Sequence, residues 1–437
     1  MAEGEPQKKA RLLPRLPVAS AVAHRSSCTT ALRGALLAEG ATWHPKLRRS
    51  WDLQVPGLVV DEATEPGTVL LKIPRDLHFS RPRCQETFEA IYTACEALPS
   101  ADPEKREDAA DALCLAQLLQ DATKPENASP VPLTSATWKR MAEVLLSEDF
   151  SEHPYVAAWE RQGLEIPSSA EPELITAQAD YVRTVFGCLC SLPSGKDLDE
   201  GLFLQAWLCL LTRRFRGPEG SALVPGVDFL NHSWDPNASS DWDEESGSIM
   251  VTATRHLKEG EEVFISYGSF SNPLLFRTYG FTLPSSLEPC RTCTFTEEEL
   301  LETAPMEVAA DLQSLPNLHL NSSMISDELA VLLQVWPGAG QALRQLCRKR
   351  MEEVDLKVKE MQRRWSEDPS NAEGIPLHHD HGLRIAFSEY LCVLIHADIL
   401  DELAGQSTES KEPVELAAKE LRREFQVIQE AGMLILE

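Results

Sequence analysis

The sequence predicts an α+β fold: a strand-bearing domain split by a long helical insertion, followed by an all-α C-terminal domain. Three observations carry this expectation. Strand text appears in two blocks, 57–74 and 223–283. Residues 84–216 between them place apolar side chains at three-to-four spacing, as in DAADALCLAQLLQD and EGLFLQAWLCLLTRRF. From about 296 onward the chain reads as charged amphipathic helices, strongest in QALRQLCRKRMEEVDLKVKEMQRRW and GLRIAFSEYLCVLIHADILDELA. Isolated hairpins are marginal in water, so two strand blocks around one insertion are more economically one sheet domain than two.

Taken in order, the chain opens on a basic segment. Residues 1–38 carry Lys8, Lys9, Arg11, Arg15, Arg25 and Arg33 against Glu3 and Glu5, a balance of +4. Residues 1–31 are expected to be a disordered basic tail or a transit peptide, since hydroxyl residues are frequent and acids are absent after Glu5. Gly57 to Asp61 is apolar and β-branched, Glu65-Pro66-Gly67 is turn chemistry, and Thr68 to Ile73 alternates into a second strand. Pro- and Ser-rich stretches near 125–136 and 167–172 interrupt the helical insertion as loops. SIMVTATRHL, the turn Lys258-Glu259-Gly260 and EEVFISYG then read as a hairpin or paired strands. A polar loop, SEDPSNAEGIPLHHDH, separates the two strong C-terminal helices. The expected domains are therefore 32–290, with the insertion at about 84–216, and 291–437.

Composition narrows the function. Lys+Arg total 41 against Asp+Glu 68 in 437 residues, a net charge of −27. With +4 in the first 38 residues, the remainder carries −31. An acidic surface disfavours nucleic acid and anionic membranes and favours a basic or Lys-rich protein partner. No run of about 18 apolar residues exists, so no transmembrane helix is expected. The eleven cysteines are scattered, odd in number and mostly in apolar helical contexts, which reads as reduced thiols of an intracellular protein. Cys290-Arg-Thr-Cys293 offers too few ligands for a closed zinc site. His378-His379-Asp380-His381 has no second ligand group elsewhere, so no metal is expected. The basic run Arg344 to Arg364 is interleaved with acids and reads as a solvated helix face.

The densest cluster of unusual residues is Asp228-Phe-Leu-Asn231-His232-Ser233-Trp234-Asp235-Pro236-Asn237, followed by Gly260-Glu261-Glu262-Val-Phe264-Ile-Ser-Tyr267-Gly268. An Asn-His pair alone would read as a surface turn with a satisfied histidine. The two segments together resemble the paired signature of SET-domain methyltransferases. That resemblance implies a SET-domain β-fold in which the Asn-His segment and the strand ending in Tyr267 form a pseudoknot beside S-adenosylmethionine. The long insertion, Thr212-Arg213-Arg214-Phe215 and the stretch Ser271 to Phe281 look like the RuBisCO large-subunit methyltransferase group, which modifies lysine or histidine in proteins. Residues 32–47 are similar to that group's opening helix.

The resemblance also implies roles. Tyr267 matches the catalytic tyrosine, and Asn231 and His232 match the donor-binding pair. Arg213 matches the arginine that pairs with the donor carboxylate, Asp228 a polar position lining the site, and Gly57 the donor loop. Tyr279 and Phe264 match the substrate channel. The family's donor loop is usually Gly-x-Gly after a glutamate; here it reads Gln54-Val55-Pro56-Gly57. Proline removes only an N–H, so backbone contact survives while donor affinity is exposed to the change. The functional expectation is a protein-lysine N-methyltransferase acting as a monomer. The alternatives are a protein-histidine N-methyltransferase and a catalytically weak binding protein of the same fold. The expected compartment is cytoplasm or nucleus, or a plastid if residues 1–30 are a transit peptide.

Overall fold

A computed structural model of the chain describes residues 18–396 with breaks, chiefly at 99–102, 124–134, 161–171, 304–316, 322–338 and 368–380, and at position 54. Residues 1–17 of the expected tail or transit peptide, the loops near 125–136 and 167–172, Gln54 and His378 to Asp380 thus lie largely or wholly outside the described residues. Two compact units make up the chain: Met1–Trp159 with Ala177–Gly268, and Glu160–Thr176 with Ser269–Glu437.

The first unit opens with helix α1 (Val18–Ala38), then strands β1 (Thr42–Trp43), β2 (Leu47–Ser50), β3 (Gly57–Val60), β4 (Val69–Ile73) and β5 (Phe79–Ser80). The insertion follows as α2 (Arg81–Thr87), α3 (Glu89–Cys95), α4 (Pro103–Ala122), α5 (Ala136–Leu146), α6 (Pro154–Trp159), α7 (Pro172–Leu189), whose residues up to Thr176 are assigned to the second unit, and α8 (Glu200–Arg213). Strand text returns in β6 (Arg214–Gly217), β7 (Gly220–Leu223), β8 (Asn231–His232), β9 (Ala238–Trp242), β10 (Ile249–Ala253) and β11 (Glu262–Ile265).

Residues 18–31, expected as part of a tail, are helical. The reason lies in the buried stripe of α1: Cys28, Thr29, Leu32 and Leu36 recur at helical spacing, and the helix packs on α5. The helical insertion stands as expected, held by α4 against α8 and by side-chain caps: Ser135 accepts from the Trp138 N–H and Asp199 from the Leu202 N–H.

Among the described residues of this unit three sheets form, in the orders β1-β4-β10-β9, β2-β3-β11-β8 and β5-β7-β6. β3 is buried along its whole length, as its unbroken apolar text requires of a strand flanked on both edges. The expected hairpin of β10 with β11 does not form. β10 is paired on both edges by β4 and β9, and β11 by β3 and β8, so neither has an edge to offer the other. Residues 254–261 instead carry the chain from one sheet to the next, beside the crossing from β3 to β4, and a bridge between Thr64 and Leu257 ties the two crossings together.

The second unit holds α9 (Asn272–Tyr279), β12 (Thr292–Thr296), α10 (Glu297–Thr303), β13 (Asn317–Asn321) and α11 (Ala339–Glu367). The all-α expectation is corrected here: β12 and β13 pair antiparallel, Cys293 opposite Leu320 and Phe295 opposite Leu318. Thr-Cys-Thr-Phe-Thr and Asn-Leu-His-Leu-Asn both alternate with period two, which turns one face inward. That face joins Leu343, Leu346, Cys347, Cys392 and Val393 in one apolar core. The last strong helix of the sequence reading is described only in part, and residues 397–437 lie outside the described residues.

Candidate active site

The site is built on one parallel strand pair. β8 lies beside β11 with Asn231 opposite Phe264 and His232 opposite Ile265, so two segments some thirty residues apart become neighbours. Asn237 locks the pair. Its side chain, 1% exposed, accepts from the Phe264 N–H at 2.7 Å and donates to the Glu262 carbonyl at 2.8 Å. A buried amide that meets two backbone groups in this way replaces the ladder bonds that a two-residue strand cannot supply.

β11 ends at Ile265, and the chain turns back over His232. The His232 Nδ1 accepts from the Tyr267 N–H at 3.0 Å, and the two rings lie tilted at 33° with centroids 5.3 Å apart. The Trp234 ring stands edge-on to the same imidazole at 6.0 Å. Burial lowers the His232 pKa, which keeps the ring neutral and its Nδ1 an acceptor. The Tyr267 hydroxyl donates to the Leu230 carbonyl at 2.6 Å. Tyr267 is thus held at its backbone N–H and at its hydroxyl, with the residue before Asn231 holding the tip of the ring.

Asn231 turns its side chain toward the loop before β3. Its Nδ2 donates to the Val55 carbonyl at 3.2 Å and to Glu262 Oε1 at 2.7 Å. At Gly57 any side chain would displace the ends of two neighbours. A Cβ there would sit 2.7 Å from Asn231 Nδ2 and closer still to Glu262 Oε1. Burial raises the Glu262 pKa against the Asn231 amide that favours its charge.

A buried ionic quartet lies immediately upstream. Arg213, at the end of α8, donates from Nη2 to Glu148 Oε2 at 2.8 Å, and from Nη1 to Asp228 Oδ2 at 3.2 Å and the Asp228 carbonyl at 3.1 Å. Arg49 on β2 donates from Nη2 to the other Glu148 oxygen at 2.8 Å. Burial disfavours the Glu148 charge, but Arg213 and Arg49 outweigh it and hold its pKa down at about 2. Burial raises the Asp228 pKa, offset by Arg213. Gly226 makes the Asp228 geometry reachable: its φ is +87°, its N–H donates to Asp228 Oδ1 at 2.9 Å, and a Cβ would strike the Trp43 ring at 2.7 Å.

The residues singled out by sequence are distributed over the structure as follows. Asn231, His232, Phe264, Tyr267 and Gly57 gather around β8 and β11. Arg213 and Asp228 meet in the quartet, Asp228 lying three residues before Asn231. Tyr279 belongs to the second unit, where it ends α9 between Phe270 and Phe281 at ring distances of 6.2 and 6.0 Å. Burial raises its hydroxyl pKa. Sequence reasoning missed Glu148, Arg49, Asn237 and Glu262. The last two stand inside the quoted motif segments. Glu148 and Arg49 have no local signal, being separated from their partners by 65 and 99 positions.

Residues 56–268 match the family model described as SET domain. Among curated proteins, the chain is 24% identical over 250 residues to N-lysine methyltransferase SETD6 of Rattus norvegicus, covering 52% of this chain and 48% of that protein. It is 33% identical over 96 residues to ribosomal lysine N-methyltransferase set11 of Schizosaccharomyces pombe, covering 20% and 25% respectively. These matches span about half the length of the first relative and a quarter of the second. Among solved structures, the SET domain of LSMT bound to lysine and AdoHcy superposes with a TM-score of 0.56 at 15% identity, over 87% of this chain and 92% of that one. At that identity the likeness establishes the fold. No described helix is long and apolar enough to cross a membrane.

Proposed function

We propose that this chain, which carries a SET domain with the fold of LSMT, is an S-adenosylmethionine-dependent protein-lysine N-methyltransferase. The observation that carries the proposal is the double fixation of Tyr267, with its N–H on His232 and its hydroxyl on the Leu230 carbonyl. A phenol oxygen held so firmly at the end of β11 suits a reaction whose main demand is alignment.

The residues present fit a donor with a carboxylate pole. Arg213 keeps a buried Nε–H that meets no acceptor among the described residues, beside a quartet already balanced in charge. In this reading Arg213 and Asp228 hold that pole, and Asn231, His232 and the Gly57 backbone hold the rest of the donor. When bound, S-adenosylmethionine supplies an electrophilic methyl group on a sulfonium. The protein's part is to exclude water, keep the incoming amine neutral against apolar walls, and orient its lone pair. Tyr267 performs the orientation, and Phe264 is a proposed channel wall.

The charge of −27 supports a basic, Lys-rich protein as the proposed substrate. The proposed setting is a monomer in the cytoplasm or nucleus, with a plastid as the alternative if residues 1–30 are a transit peptide. The test is incubation of the full chain with methyl-labelled S-adenosylmethionine and cell lysate, followed by identification of the labelled side chain. Label on lysine that Tyr267→Phe abolishes supports the proposal. Label on histidine selects the alternative acceptor. Donor binding with no label in any fraction leaves a binding protein of this fold.

A further inference from the structure

The ionic quartet is more than support for one arginine. Arg49 is buried, its side chain 2% exposed, and its guanidinium is packed between the Trp51 ring at 4.4 Å and the Phe229 ring at 4.0 Å. Its Nη2 is satisfied by Glu148, yet its Nε and Nη1 meet no acceptor among the described residues, as is true of the Arg213 Nε. Three buried guanidinium nitrogens without acceptors are a large imbalance. Buried charged donors ordinarily find partners, and leaving one without costs more than a neutral group would. The two guanidinium groups sit on the two oxygens of one carboxylate, which fixes them close together. With Glu148 and Asp228 the four charges sum to zero, so the site tolerates one added anion without an existing excess of negative charge.

We propose that Arg49 is a second positioning residue for the donor, its free N–H groups joining the Arg213 Nε in binding the donor's carboxylate, while Glu148 sets the spacing and charge of the two arginines. This rests on the donor site proposed above and extends it to a strand and a loop that the signature segments do not include. Arg49 reaches the site from β2 and Glu148 from the segment after α5, so the helical insertion takes part in donor binding through Glu148.

The discriminating measurement compares two ligands by isothermal titration: S-adenosylmethionine, and 5′-methylthioadenosine, which shares the nucleoside and sulfur but lacks the carboxylate. Arg49→Met keeps the side chain's length between the two rings. It is expected to weaken S-adenosylmethionine about tenfold or more while leaving 5′-methylthioadenosine unchanged, and Arg49→Lys is expected to recover part of the difference. Glu148→Gln keeps the shape but raises the quartet's charge by one, so the preference for the carboxylate-bearing ligand is expected to rise. Equal weakening of both ligands by Arg49→Met, or an unchanged preference in both variants, overturns the Arg49 inference while the donor site stands. Failure of the folded wild type to bind either ligand overturns the donor site itself and this inference with it. If Arg49→Met does not fold, Arg49→Lys makes the same comparison, and equal effects on the two ligands overturn the inference.

Discussion

Tyr267 and Gly57 show how differently single residues constrain the site. Tyr267 contributes a hydroxyl whose position is set by backbone, the Leu230 carbonyl on one side and the loop over His232 on the other. Tyr267→Phe is expected to cut methyl transfer by about a hundredfold or more while leaving donor titration near wild type. Equal loss of donor binding would show that the hydroxyl shapes the pocket and not the reaction. Gly57 contributes only the absence of a side chain. Gly57→Ala pushes aside the side-chain ends of Asn231 and Glu262, and is expected to cost about 1 kcal/mol of stability and to weaken the donor through a displaced Asn231. Urea denaturation and donor titration of the same variant measure both effects.

At the scale of elements, the parallel pair of β8 with β11 depends on Asn237 more than on its own length. Asn237→Ala leaves the Phe264 N–H and the Glu262 carbonyl unmet, for an expected loss of about 2 kcal/mol and a lowered melting temperature. Asn237→Asp keeps the acceptor and is expected to recover part of it. In the second unit, Glu288 plays the comparable part at the start of α9. It accepts from the Asn272 N–H at 2.7 Å, the Asn272 side chain at 2.8 Å and the Ser388 hydroxyl at 2.8 Å. Burial nevertheless pushes its pKa up to about 7 from an ordinary 4.5, against those three donors. A carboxyl with a raised folded pKa contributes stability that is fully present below 4.5 and is lost as pH rises through about 7. The difference in melting temperature between wild type and Glu288→Gln is therefore expected to change between about pH 4.5 and pH 7 and to flatten above it. A difference that is flat across that window would show that Glu288 keeps an ordinary pKa.

The whole molecule brings a field rather than a contact. A net charge of −27 draws a basic protein toward any site on this chain and repels an acidic one. Methylation of a basic protein substrate is expected to slow several-fold between about 0.05 and 0.5 M salt, as the Debye length contracts from more than 10 Å to a few ångströms. A short neutral peptide carrying the same acceptor is expected to show little change. Equal salt sensitivity for both would place the charge effect inside the site.

The strand blocks, the helical insertion and the paired Asn231-His232 and Tyr267 segments were legible in the sequence because each is written in consecutive residues, through periodicity, turn chemistry or a local motif. The helical start at Val18 was obscured by its basic charge, although its buried stripe is present in the text. What the sequence left open was which strand meets which. β10 and β11 look like a hairpin until β4, β9, β3 and β8 are seen to occupy their edges. Likewise β12 and β13 show their role only once a shared apolar core selects the strand conformation. Arg49 and Glu148 mark the limit most sharply. Their meaning lies in a buried charge balance, and charge balance is a property of distances in space that no local stretch of sequence records.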